Sequence, residues 1–133
     1  SYVCEARMMA LAEHMGEIDD FSNTIAALSN AGLLMGFSRI RTIDNTPYIS
    51  PIIVRSDARK QGIGHSLMQA TYEYVHKPLL LISRGKQIGF YNSIGCEKID
   101  WESCDSVILD ECKYCPNRID CQPCPFKFSG TPN

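Results

Sequence analysis

Two stretches of the 133-residue chain hold residues whose types and spacing could do chemistry. The first is VRSDARKQGIGHSLMQA, residues 54–70, in which Arg59, Lys60 and Gln61 precede Gly62, Ile63 and Gly64, with His65 and Ser66 behind them. Gly62 and Gly64 let a backbone approach a ligand with no Cβ in the way. The first amides of a helix that starts there have no partner a turn back and sit at the positive end of its dipole. Cations beside such amides make a diphosphate site. The plain alternative is a strand-to-helix connection that needs glycine and binds nothing. Neither the Gly-x4-Gly-Lys-[Ser/Thr] phosphate loop nor the Gly-x-Gly-x-x-Gly dinucleotide fingerprint is present.

The second stretch is CKYCPNRIDCQPCPF, residues 112–126, which spaces Cys112, Cys115, Cys121 and Cys124 as two Cys-x2-Cys pairs five residues apart. Four thiolates at about 2.3 Å in tetrahedral geometry suit a structural zinc ion, and Pro116 and Pro125 would stiffen the turns after each pair. An iron–sulfur cluster takes the same four ligands, and two local disulfides are the third reading. Cys4, Cys96 and Cys104 stand alone and read as buried or incidental thiols.

The elements that must position these residues follow from periodicity. Residues 4–15 set Met8, Leu11, Ala12 and Met15 at helical spacing, with Gly16 as a stop. NTIAALSN and LLMGFSRIRTI, joined at a small-residue turn, read as an antiparallel hairpin; a helix over 21–35 is the competing reading. DNTP is a turn, and YISPIIVR is a third strand in which Pro51 implies an edge or a bulge. The helix after the glycine turn carries Ile63, Leu67, Ala70 and Tyr74 on one face and ends at His76, Lys77 and Pro78. PLLLIS is a short apolar strand, central in a sheet and covered on both sides. GKQIGFYNSIG is a second short helix, and CEKIDW and SVILDE make a final pair of strands. The order predicts a mixed α/β domain with helices on both faces of one sheet, occupying residues 1–110, and a cysteine-rich tail at 111–133.

Composition narrows the classes. The chain is 44% hydrophobic and 21% charged, ordinary for a globular domain. Its net charge of −2, from 13 basic and 15 acidic residues, argues against a protein that coats nucleic acid. No apolar run approaches the roughly 20 residues that cross a bilayer, and no charged-then-apolar leader is evident. A soluble, cytoplasmic protein is the expectation. Seven cysteines, an odd number without an export signal, disfavour a full disulfide framework.

IIVRSDARKQGIGHSLM resembles the acyl-CoA-binding motif of the GNAT superfamily of N-acetyltransferases: a hydrophobic strand ending in valine, then Arg/Gln-x-x-Gly-x-Gly/Ala opening a helix. IGFYNSIGCEKI is similar to the same family's FY-x-x-x-GF element, with Cys96 where phenylalanine is usual, and LLMGFSRIRTI with YISPIIV is similar to the strands ahead of the motif. The resemblance covers roughly residues 20–110 in the right order. The stretch from Gly64 to Phe90 is shorter than in many members, the asparagine often found after the central strand is absent, and the usual first strand is not evident before the amino-terminal helix.

The resemblance implies an acyl-CoA N-acyltransferase-like fold, with a mostly antiparallel sheet and a strand pair splayed around the pantetheine arm. The backbone of Ile53, Val54 and Arg55 would pair with that arm. Arg59, Lys60, Gln61, Gly62, Ile63 and Gly64, with His65 and Ser66 adjacent, would hold the pyrophosphate. Tyr91 occupies the position of the acid that protonates the leaving thiolate; a phenol of pKa about 10 donates to a thiolate of basicity about 8.5 only somewhat uphill. Its other reading is a core residue beside Phe90. Glu17, Asp19, Asp20 and Tyr48 are candidate bases by location alone, and each reads first as a solvated surface group; His14 has no tie to chemistry, and no base is assigned. The implied co-substrate is acetyl-CoA; the tail is not part of the family's usual core, and zinc there is the first of the three readings of its cysteine spacing. The implied partner is an amine, with neither nucleic acid nor membrane, and a homodimer is the candidate assembly.

Acetyl transfer from acetyl-CoA to a primary amine is therefore the leading expectation. The alternative is a non-catalytic acyl-CoA-binding regulatory or interaction module. A zinc-organised nucleic-acid module is disfavoured, since the tail offers only Lys113, Arg118 and Lys127 as cations.

Overall fold

The computed structural model describes residues 2–13, 15, 18–116 and 118–130. Its elements are α1 (Val3–Ala12), β1 (Thr24–Leu28), β2 (Leu34–Ile43), β3 (Thr46–Val54), α2 (Ile63–Val75), β4 (Leu79–Ser83), α3 (Ile88–Ser93), β5 (Glu97–Lys98), α4 (Ser106–Lys113), α5 (Arg118–Cys121) and β6 (Cys124–Phe128). Gly16, expected to stop the first helix, and His14 and Glu17 lie outside the described residues. No helix among the described residues is long and apolar enough to cross a membrane.

Local chemistry accounts for the first half. Asp44 and Asn45 both take positive φ between β2 and β3, the geometry of the two-residue hairpin turn that suits the strands' twist, and short polar side chains tolerate it best. His76 ends α2 in a left-handed conformation, its amide bonded back to the Tyr72 carbonyl. Pro78 then bars continuation. β4, with its run of Leu79, Leu80, Leu81 and Ile82, lies inside the sheet as expected. The six strands run in the order β1-β2-β3-β4-β6-β5, antiparallel at every neighbouring pair except β3 with β4.

Helices cover both faces. Met68 of α2 packs with Ile49, Leu79, Leu81, Phe126 and Phe128 on one side. Phe37 and Arg41 are four residues apart on β2 and so share the other face. There Phe37 meets Ala6 and Ala10 of α1, and Arg41 bonds Glu111 of α4. The contact face of α1 departs from expectation: Met8 is 67% and Leu11 53% exposed, while Ala6 and Ala10 are buried. Two alanines one turn apart let the helix lie close on Phe37 and Ile53. The α2 face is likewise rotated, with Leu67, Met68 and Thr71 buried and Tyr74 exposed.

Thr71 can be buried because its hydroxyl is satisfied. It donates to the Leu67 carbonyl at 2.6 Å, which leaves it to accept from Ser38 Oγ at 2.5 Å. Thr71→Val keeps the shape but strands the buried Ser38 hydroxyl, so unfolding free energy should fall by about 1–3 kcal/mol in a denaturant titration. Adding Ser38→Ala should recover part of the loss.

The last third differs most from the sequence reading. SVILDE is not a strand but most of α4: the Asp105 side chain accepts from the Val107 amide at its start, and Ile108 is buried while Val107 faces solvent. CEKIDW supplies only the short edge strand β5. The missing strand comes from the cysteine-rich stretch, where Cys124–Phe128 pairs with β4 on one side and β5 on the other. The expected division between residues 110 and 111 thus falls inside α4, and part of the tail is built into the sheet.

Candidate functional site

The site begins where two strands part. β3 and β4 pair through Tyr48 with Leu80 and Ile49 with Leu81. Beyond that, Ile82 and Ser83 answer only to β6. Against β2, Ile40 faces Ile49 and Ser38 faces Ile52, so three steps on β3 match two on β2. The extra residue is a β-bulge at Ser50–Pro51, where proline has no amide to give the ladder. It also exchanges faces: Ile53, which period-two alternation would set beside Ile49, packs instead with α1. Of the two readings of Pro51, the bulge is the one observed.

The parting strands open a cleft of about 680 Å³ that runs from the turn after β3 to the connection between α4 and α5. Along its β3 edge, the Arg55 amide donates to the Met35 carbonyl at 2.8 Å. Backbone groups alternate sides along a strand, so Val54 turns its amide toward the gap, while that of Arg55 is committed to β2. The Arg55 side chain is occupied as well, bonded to Asp57 at 2.6 Å.

At the turn, Lys60 and Gly62 both have positive φ, and the Ser66 amide bonds to the Gly62 carbonyl at 3.0 Å. The Ile63 and Gly64 amides ahead of it have no carbonyl a turn back to answer them. The two glycines serve different ends. Gly62 needs its left-handed backbone, and a Cβ there would meet nothing. A Cβ on Gly64 would come within 2.9 Å of the Phe90 ring, so glycine is what lets α2 approach α3. Of the residues expected to hold a cofactor, Ile53, Val54, Arg59, Lys60, Gly62, Ile63 and Gly64 line the cleft, as does Tyr91; Arg55, Gln61, His65 and Ser66 do not.

Arg59 is engaged. Its Nε donates to the Val54 carbonyl at 3.1 Å, and its terminal nitrogen pairs with the Glu13 carboxylate. The Glu13 carbonyl in turn accepts from Arg84, which follows β4, at 2.7 Å. Glu13 therefore ties the end of β3 to the end of β4 across the gap. Neither partner was legible in the sequence, because these bonds join residues far apart in the chain. Glu13→Gln keeps the backbone bond and releases Arg59, and should raise coenzyme A affinity about two- to fivefold by calorimetry.

Tyr91 sits on α3, buried, with the Phe90 ring at 5.0 Å and the Phe126 ring at 5.8 Å. Burial, and secondarily the Cys96 thiol, push its phenol well above the usual tyrosine range. It keeps its proton throughout the neutral range, and the same burial makes it a weaker acid than a free phenol. Tyr48, a candidate base, also lines the cleft, but its oxygen accepts from the Asp105 amide at 2.9 Å and burial raises its pKa. It positions α4. Asp19 and Asp20 are exposed and outside the cleft, and Asp20 accepts from Ser22. A carboxylate that the sequence did not single out, Glu111, does line the cleft, held by both terminal nitrogens of Arg41 at 2.8 Å.

The four cysteines of the tail are divided. Cys112, Cys115 and Cys121 line the cleft, whereas Cys124, paired opposite Ser83 in β6, is buried in the core cluster with Phe126 and Tyr91. Among the described residues no group of three or more histidine, cysteine or acidic side chains is placed to hold a metal ion. The zinc site expected on Cys112, Cys115, Cys121 and Cys124 is not supported, because strand pairing turns the fourth ligand inward.

A sequence profile described as the acetyltransferase (GNAT) domain matches residues 5–109. The chain belongs to the GNAT acetyltransferase family. Its fold is the GNAT one: N-acetylglutamate synthase of Neisseria gonorrhoeae, solved with coenzyme A and N-acetyl-glutamate, superposes with a TM-score of 0.74 at 9% identity over 95% of this chain. The chain spans 31% of that protein's length. Rv2747 of Mycobacterium tuberculosis, in complex with CoA, gives 0.72 at 11% identity, covering 96% of this GNAT chain and 93% of the other. The ribosomal-protein-S18-alanine N-acetyltransferase of Escherichia coli gives 0.59 at 17% identity, covering 74% and 73%. No curated protein matches the sequence at a significant level.

Proposed function

We propose that this chain transfers the acetyl group of acetyl-CoA to a primary amine by direct attack. The observation that carries this reading is the gap between β3 and β4. It opens beside a bulge, turns the Val54 amide inward, and leads straight to the unanswered amides of Ile63 and Gly64. Structural relatives crystallised with CoA support a cofactor of that shape.

In this reading the pantetheine arm lies along Ile53 and Val54 and takes the place of the missing strand. The diphosphate rests on the α2 amides, with Lys60 beside it and Arg59 once Glu13 yields. The neutral amine adds to the thioester carbonyl, and amides along the gap stabilise the negative charge that grows on oxygen. Collapse breaks the carbon–sulfur bond, and Tyr91 gives its proton to the departing thiolate. The amine enters from the face carrying α1 and α4, where Tyr48, Ile108 and Glu111 wall the cleft.

Calorimetric titration with coenzyme A tests the first half, and a panel of amines with acetyl-CoA, scored by chromatographic release of coenzyme A, tests the second. Saturable binding with amine-dependent release is the expected result. Absence of any measurable uptake of coenzyme A overturns the reading.

A further inference from the structure

Cys112, Cys115 and Cys121 have no role in acyl transfer as described, yet all three line the cleft and all three are free thiols. Cys112 stands half-buried near the end of α4, Cys115 is exposed in the turn that follows, and Cys121 closes α5. The Cys115 amide donates to the Cys112 carbonyl at 3.3 Å. A turn of that kind holds Cα atoms three residues apart within about 7 Å, the upper end of what a disulfide spans. Burial raises the Cys112 thiol pKa, and the nearby thiols of Cys121 and Cys115 add to the effect, so both neighbours lie within electrostatic reach of it.

The two helices that carry these thiols are held differently. α4 is fixed by buried Ile108, by the Arg41–Glu111 pair and by the Tyr48 hydroxyl at its cap. α5 has no buried residue, and its Ile119 is 89% exposed. A covalent link from Cys112 would therefore bind a loosely seated piece of cleft wall to a firmly seated one.

We propose that these three thiols form an oxidisable site on the cleft wall, in which a disulfide oxidant such as glutathione disulfide joins Cys112 to one of its two neighbours and fixes the α4–α5 connection. The neighbour's thiolate attacks one sulfur of glutathione disulfide, and the first glutathione leaves as a thiolate that takes up the proton. Cys112, deprotonated, then attacks the protein sulfur of the mixed disulfide and expels the second glutathione. Two protein thiols are oxidised and one glutathione disulfide is reduced to two thiols. Cys96, Cys104 and Cys124 are buried; Cys4 is exposed on α1 but outside the cleft lining, and trypsin releases it on a separate peptide that ends at Arg7.

The test is the full chain incubated with glutathione disulfide and then mapped with trypsin, which cleaves after Lys113 and Arg118. A Cys112–Cys121 bridge keeps the fragment that ends at Lys113 joined to the one that begins at Ile119 until reductant is added, and a Cys112–Cys115 bridge joins it instead to the fragment from Tyr114 to Arg118. The expected result is one such bridge, the bridged fragments two hydrogens lighter than their reduced forms, and no glutathione retained on Cys112, Cys115 or Cys121. Cleavage at both bonds should also slow roughly fivefold or more before reduction. Cys112→Ser should leave a glutathione adduct and no bridge, with circular dichroism checking its fold; the mapping of the unaltered chain stands without it. Cys112 left as a free thiol, a stable mixed disulfide on Cys112, Cys115 or Cys121 in the unaltered chain, or a bridge that omits Cys112 would each overturn the proposal.

Discussion

Replacing Tyr91 with phenylalanine should lower acetyl transfer by about 100- to 1,000-fold while coenzyme A affinity stays within about twofold. The substitution removes one hydroxyl and keeps the ring that packs on Phe90 and Phe126, so a purely structural Tyr91 would leave the rate nearly unchanged. The same comparison separates an enzyme from a module that only holds acyl-CoA. A pH profile adds a second readout. Because burial raises the phenol pKa, the wild-type rate should climb as the amine loses its proton and show no Tyr91-dependent fall on the alkaline side of neutrality. The sign for stability is the opposite of a buried carboxylate's salt-bridge effect. An unfolded tyrosine ionises near pH 10, while the folded one keeps its proton to higher pH, so the folded state loses ground as pH climbs past about 10. Tyr91→Phe should flatten that decline.

Phe126→Ala should cost about 3–5 kcal/mol, a large share of the roughly 5–15 kcal/mol that holds a domain together. Phe126 and Phe128 are completely buried and belong to the strand that β4 and β5 share. For the same reason, a chain ended after Asp110 should show no cooperative unfolding transition in urea, since it lacks a strand from the interior of its sheet. A sharp transition in that fragment would instead support an independent domain at 1–110 with an appended tail.

Local chemistry made most of the first ninety residues legible. Asp44-Asn45, Gly62 and His76-Lys77-Pro78 each mark a chain reversal or a boundary by their own conformational limits, and Pro51 marks the bulge by the amide it lacks. The turn from Arg59 to Gly64 could be read as a cradle because its residues are contiguous. Where reading failed, another cue competed. Val107-Ile108-Leu109 looks like a strand until Asp105 is recognised as a helix cap. Cys124, Phe126 and Phe128 alternate as a strand should, but cysteine spacing pointed toward a metal. The alanine face of α1 was masked by the larger Met8 and Leu11 on its solvent side. The Glu13, Arg59 and Arg84 tie, and the Arg41–Glu111 pair, have no local signature, because each joins elements that only the folded sheet brings together.

The two-pair junction between β3 and β4 has one more consequence. Among the described residues, β1, β2 and β3 form one hydrogen-bonded raft and β4, β6 and β5 another, stitched at Tyr48–Leu80 and Ile49–Leu81. A guest lodged in the seam supplies rungs that the polypeptide itself omits, so occupancy and mechanical cohesion become one quantity. Melting temperature should then rise with the logarithm of guest concentration, and amide protection should grow first along Val54 and Ile82, on the two banks of the seam.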